Sequence, residues 1–226
     1  MIRRRFFNKV RNNFSPDLNY FSIVSLEDTS TVSLPTNTSP NLMYSLDGID
    51  WTQWDYSIIT LGKYDVLYLK GDNSNGFSTS TTKYNNFSIT GKVELWGNIM
   101  SLLGEDFKNN NILPEGNHIF YSIFSNCSGI VSAKNLILPA TMLTERCYNR
   151  MFYNCISLIE TPELPATTLA TSCYTDMFAL CTSLTTAPAL PATTLATSCY
   201  MRMFYNCTSL IEAPELPAIG LASSCY

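Results

Sequence analysis

The sequence predicts a mainly β chain with short helical turns: a small antiparallel β-sandwich-like domain followed by a solenoid of repeats. Three observations carry this. A pattern of 26 residues recurs through the C-terminal half, and apolar–polar alternation broken by turn residues fills much of the rest. Charged residues make up 14% of the chain, against about a quarter in typical domains. At 226 residues the chain is long enough to bury a real core. Four segments are expected: a basic tail over 1–18, a β domain over 19–100, a linker over 101–117, and the solenoid over 118–226.

The tail, "MIRRRFFNKVRNNFSPD", places Arg3, Arg4, Arg5, Lys9 and Arg11 in its first fourteen residues without an acid. Against a net charge of −4, these five cations leave a strongly acidic body. Phe6, Phe7, Val10 and Phe14 are interleaved at near-helical spacing. The segment reads either as an anchor docking into an acidic or anionic socket or as a solvated tail. It lacks the apolar core of a secretion signal, and its Arg-rich start also resembles an organelle transit peptide, with nothing downstream in support. No apolar run approaches the roughly 18 residues of a membrane span.

In the β domain, "YFSIVSL" (20–26), "LMYSLDGIDW" (42–51), "YDVLYLKG" (64–71) and "FSITGKVELWG" (87–97) read as strands or hairpins. Asp47-Gly48 is the hairpin candidate. "SLLGEDFKNNNILPEGN" (101–117) reads as the linker.

The repeat is dense in fixed letters. "LPATTLATSCY" stands at 164–174 and again at 190–200, while Leu-Pro-Ala starts at Leu138, Leu164, Leu190 and Leu216. Cys-Tyr follows at Cys147, Cys173, Cys199 and Cys225, and a second cysteine falls at Cys155, Cys181 and Cys207. A weaker first copy, "IFYSIFSNC" (119–127), lies 28 residues upstream of "CYNRMFYNC". In each unit a proline-containing segment such as "SLTTAPALPA" excludes helix. The next, "SCYTDMFALC", spaces Cys173, Met177 and Cys181 at i, i+4, i+8 and predicts about two and a half helical turns. Strand then helical turn is the leucine-rich-repeat plan, with strands stacked in parallel. Leu164, Leu169, Cys173, Met177, Phe178, Leu184, Leu190, Leu195 and Cys199 are the expected core. Positions that vary between copies are expected outside: Glu160, Glu163, Asp176, Arg202, Glu212 and Glu215 form the candidate binding face. Leu216, Leu221 and Cys225 are expected to form an apolar end that either a further repeat or another chain covers.

The pattern "CYxxMFxxCxSLxxxPxLPAxxL" over about residues 115–226 resembles the BspA-like leucine-rich repeats of anaerobe surface proteins, above all the version carried by phages of gut bacteria. "RRRFFNK", "NYFSIVSLED" and "ITGKVELWGNIMSLLGED" are similar to the leaders of those phage-type proteins. The resemblance implies adhesion or virion structure rather than catalysis. A lipoprotein cysteine, secretion signal and cell-wall anchor do not accompany the repeats, which favours a phage particle, with the virion surface as location.

Candidate chemistry reduces to packing. Ile119 fills the slot of Cys147 and Cys173, so that slot is apolar and buried thiols are expected. Inter-repeat disulfides are the alternative, although on a helix Cys173 and Cys181 would stand about 12 Å apart. Metal is not expected without clustered ligands, and no cofactor is implied. His118 shares a polar turn slot with Arg146, Ser172, Ser198 and Ser224. "DNSNG" (72–76) reads as a turn, since Lys83 stands where a calcium loop needs Glu. The sequons "NFS", "NCS" and "NCT" read as chance, and no enzyme is visible. Two functions remain: a virion-associated fibre or decoration protein, and a bacterial surface adhesin binding host glycoproteins. Expected partners are virion or surface proteins through the tail and a host protein or glycan through the repeats, with homo-oligomers possible and sequence-specific nucleic acid not expected.

Overall fold

Period-two patterning organises the first described residues into strands. The structure, a computed structural model, describes residues 19–35 and 38–226; the basic tail, including Arg3, Arg4, Arg5, Phe6, Phe7, Lys9 and Arg11, lies outside them. The strands are β1 (Phe21–Ser25), β2 (Ser30–Ser33), β3 (Leu42–Ser45), β4 (Thr52–Gln53), β5 (Ile59–Leu61), β6 (Val66–Gly71), β7 (Ser88–Thr90), β8 (Val93–Asn98) and β9 (Ile130–Ile137). They form a six-stranded sheet, β4-β3-β6-β1-β8-β9, and a three-stranded sheet, β5-β2-β7. The fold is mainly β, as expected. All five residues of β1 are buried, which its place between β6 and β8 in the larger sheet explains.

The expected strands are present, and β3 and β4 pair around Asp47-Gly48, where Gly48 takes φ 77°. "FSITGKVELWG" is not a hairpin. Its two halves join different sheets, β7 pairing with β2 and β8 with β1. The crossing is at Gly91, φ 76°, where a Cβ would meet Ser30 Oγ at 2.5 Å. Gly129 packs against this crossing so closely that its Cβ would lie 2.0 Å from the Gly91 carbonyl oxygen. The expected linker carries 3-10 helices over Ile99–Leu102 and Glu105–Asn109 and buries Leu102, Leu103, Phe107 and Leu113.

One hydrophobic cluster runs from Phe21 to Cys225. β9, the strand segment of the first repeat, adds in parallel to β8 and so continues the larger sheet into the repeats. In later copies Pro162, Pro188 and Pro214 occupy the corresponding segment. Proline donates no backbone hydrogen bond, and there the parallel pairing shrinks to isolated bridges such as Ser132 with Glu160 and Met142 with Thr168.

The second segment of each unit is not helical, which corrects the reading from i, i+4, i+8. It is a run of tight turns in which every fourth residue is left-handed: Ser172 (φ 55°), Asp176 (φ 54°) and Leu180 (φ 66°). The same slots are left-handed at His118, Ser122 and Asn126, at Arg146, Arg150 and Asn154, and at Ser198, Arg202 and Asn206. Hydrogen bonding then alternates. The N–H groups of Cys173, Thr175, Met177, Ala179 and Cys181 donate three residues back, within the unit. Those of Ser172, Tyr174, Asp176, Phe178 and Leu180 donate to the next unit, at Thr197, Cys199, Met201, Met203 and Tyr205, at 2.8–3.0 Å. A four-residue turn period and a 3.6-residue helix bury nearly the same positions over ten residues, so spacing alone does not separate them.

A left-handed backbone costs most L-residues about 1–2 kcal/mol and asparagine less. Leu180 stands where Asn126, Asn154 and Asn206 stand in the other copies, and it is half-buried. Leu180→Asn is therefore expected to raise stability by about 1 kcal/mol in denaturant unfolding. Asn154→Leu should lower it by a similar amount. A destabilised Leu180→Asn would mean that packing, not backbone conformation, sets this slot.

Candidate functional site

The turns place ring side chains four residues apart in two columns, which face inward except at Tyr226, 42% exposed. Phe124, Phe152, Phe178 and Phe204 stack with ring centroids 5.4–5.9 Å apart. Phe120, Tyr148, Tyr174, Tyr200 and Tyr226 stack at 5.8–6.0 Å. Of the expected core, Leu164, Cys173, Met177, Phe178, Leu184, Leu190 and Cys199 are buried; Leu169 and Leu195 are partly buried against them.

All eight cysteines are free and buried. Cys155, Cys181 and Cys207 each donate Sγ–H to the carbonyl of the preceding unit's Phe124, Phe152 or Phe178 at 3.1 Å, and Cys127 donates to Phe87 at 2.9 Å. Burial pushes the Cys127 and Cys173 thiols up to about 12 and that of Cys207 to about 11. A nucleophile or metal ligand needs the thiolate, and these sites oppose it. Among the described residues no three His, Cys, Asp or Glu side chains converge on a possible metal position.

The proposed binding face divides between two segments of the unit. Glu160, Glu163, Glu212 and Glu215 are exposed on the proline-containing segments. Glu160 accepts from Ser132 Oγ at 2.8 Å and pairs loosely with Lys134 at 3.7 Å. Asp176 and Arg202 belong to the turn column. Asp176 is 6% exposed, which corrects the expectation that it faces solvent. The four-residue turn tucks this slot beneath the next unit, where Arg202 Nε and Nη2 each donate to its carboxylate at 2.8 Å. Arg202 itself is exposed. At the last unit Leu216 and Leu221 are exposed while Cys225 is buried.

Sequence reasoning missed the aromatic part of this surface. Arg150 lies over the Tyr153 ring at 4.0 Å and Arg202 over Tyr205 at 6.0 Å. Tyr205 is 61% exposed, and Asn154 Nδ2 donates to Asn126 Oδ1 at 2.9 Å beside them. The available signal was the alternation of "FYNC" with "FALC": Tyr and Asn occur in two units, while Ala179 and Leu180 separate them.

His118 does occupy the slot of Arg146, Ser172, Ser198 and Ser224, all left-handed, but it is buried and neither ring nitrogen has a hydrogen-bond partner. Its ring meets Tyr121 edge-on at 5.5 Å. Burial, then the charge of Arg146, lowers its pKa, with Glu145 opposing weakly. "DNSNG" forms a turn, with Gly76 N–H donating to the Asn73 carbonyl at 2.8 Å.

No family model, curated protein or solved structure matches the chain.

Two outcomes follow from burial. A thiol reagent such as DTNB should label none of the eight cysteines in the native protein and all eight after denaturation; rapid native labelling would contradict the buried columns. His118, with its lowered folded pKa, contributes stability that is present above about pH 6.5, its unfolded value, and is lost as the pH falls toward the folded pKa. The native protein should thus lose stability as the pH falls below about 6.5, and His118→Asn, which suits the left-handed slot, should remove that part of the loss.

Proposed function

We propose that this chain is a non-enzymatic structural or adhesion protein: a phage virion-associated fibre, or a capsid or tail decoration. In this reading a leucine-rich-repeat-type solenoid, carried on a sandwich-like β unit, displays a surface for host or protein binding. The repeated Arg–Tyr pairing on the outer side of the turn column carries it. Arg and Tyr are the residues that protein interfaces favour, and here a stacking rule presents them at intervals on a rigid support. The alternating backbone hydrogen bonds supply cohesion between units; Arg202 adds to it through Asp176, and the exposed Tyr205 ring is left for recognition. The basic tail ahead of an acidic body supplies the second element, an electrostatic anchor to other virion proteins.

The repeat resemblance also favours a second reading, a bacterial cell-surface adhesin of BspA-like type that binds host glycoproteins. Mass spectrometry separates the two. The chain should be found in purified virions under the first reading and in an outer-membrane fraction under the second. No helix among the described residues is long and apolar enough to cross a membrane.

The anchor has its own test. Deletion of residues 2–14 should leave the melting transition of the folded body unchanged and abolish incorporation into particles. Attachment of the intact protein should weaken with added salt. Incorporation unaffected by the deletion would refute the anchor.

A further inference from the structure

We propose that the cleft between β7 and the first repeat unit is a binding site for a neutral saccharide. The cleft is open to solvent and has a volume of about 580 Å³, lined by Tyr84, Asn86, Phe87, Ser88, Ser125 and Asn126 together with Pro35 and Ile89. That volume falls among small-ligand sites. None of these residues is charged, whereas Lys134 and Glu163 line the smaller groove of about 260 Å³ on the proline-containing segments. A phosphate, carboxylate or metal ion entering the cleft would meet no counter-charge among these lining residues. A ligand of neutral hydroxyls and C–H faces loses little there and meets matching groups.

Those groups are held in advance. Asn86 Nδ2 donates to the carbonyls of Ser122 and Ser125 at 2.6 and 2.9 Å, which fixes the amide and leaves Oδ1 as an acceptor. Asn126 accepts from Asn154 and donates to Ser125 Oγ at 3.2 Å, so its Nδ2 keeps a second hydrogen to give. Tyr84 is half-buried, and a T-shaped contact with Tyr121 at 5.5 Å sets the plane of its ring. Ser88, at the cleft's rim, is exposed. The cleft thus combines an aromatic wall, amide donors and acceptors, and hydroxyls, the set that recognises a sugar ring. An added peptide strand fits less well. β7 is three residues long, and just before it the Phe87 N–H already donates to the Ile123 carbonyl while the Phe87 carbonyl accepts the Cys127 thiol. The edge offers too short a run of backbone groups for strand addition. This site adjoins the Arg–Tyr surface at Asn126 but does not depend on the reading given for that surface.

Saturation-transfer NMR on the full chain tests the assignment with lactose, maltose, cellobiose, N-acetyllactosamine and chitobiose, and with sialyllactose and a heparin disaccharide as charged comparators. At least one neutral sugar should bind, and more tightly than the charged ones. Tyr84→Ala should weaken it about tenfold or more, the loss expected for one aromatic contact. Ser88→Glu, at an exposed position, should abolish binding while leaving the melting temperature unchanged. Failure of every neutral sugar to bind, preference for the charged sugars, or binding insensitive to Ser88→Glu would each overturn the proposal.

Discussion

The structure of the repeats depends on one alternation in the backbone. Along the turn column, each N–H that points within the unit is followed by one that points to the next unit. Tyr174 reaches the Cys199 carbonyl at 2.9 Å, while Met177 returns to Tyr174 at 3.1 Å. Buried backbone groups must be paired, and this arrangement pairs them without a helix or a continuous strand. Its requirement is a left-handed residue at every fourth position, met at Ser172, Asp176 and Leu180 and again one unit on. A single unit has nowhere to send half of its donors, so the motif has to be repeated.

Side-chain order follows from backbone order. Units joined by direct hydrogen bonds stand about one strand spacing apart, roughly 4.7–4.9 Å. Rings that repeat with the unit are therefore held parallel and slightly offset, as the 5.5 Å and 10° of Phe152 on Phe178 display. Beside them the cysteine slot must be small, apolar and able to give a weak hydrogen bond to a carbonyl. Cys181 does this to Phe152, and burial keeps it a thiol. The stack begins on the six-stranded sheet through β9, and Ser78 and Phe87, in the segment that leads into β7, donate to the Ile119 and Ile123 carbonyls of the first unit. Gly129 and Gly91 allow the closest approach at this joint.

How much of this was legible depended on which physical signal the residues carry. Apolar and aromatic letters between turn residues marked β1, β3, β6 and β8; β2, STVS, alternates in burial but has a single apolar residue, and β5 is three residues long, so both left a weaker trace. Repetition of letters identified the unit, and the identical positions Cys173, Met177 and Leu184 are indeed buried. Backbone conformation was hardly legible, since Ser172, Arg150 and Arg202 carry no residue-type mark of φ > 0, and Asn126, Asn154, Asn206, Asp176 and His118 only hint at it. Asp176 was misplaced for that reason: variability between copies suggested exposure, whereas its variation tracks a partner, Arg202, in the neighbouring unit. Tyr153 and Tyr205 were overlooked because their letters do not show that the turn sets them apart from the inner columns, under Arg150 and Arg202.

Both proposed ligand surfaces border the same column of turns, one through the Arg150–Tyr153 and Arg202–Tyr205 pairs and the other through Asn126. Everything in this account rests on the direction of the alternate hydrogen bonds. Through-hydrogen-bond scalar couplings in a labelled sample report that direction. The account predicts a correlation from the Tyr174 amide nitrogen to the Cys199 carbonyl carbon, and likewise from Phe178 to Met203. Correlations from those amides to carbonyls four residues earlier would show a helix and contradict it.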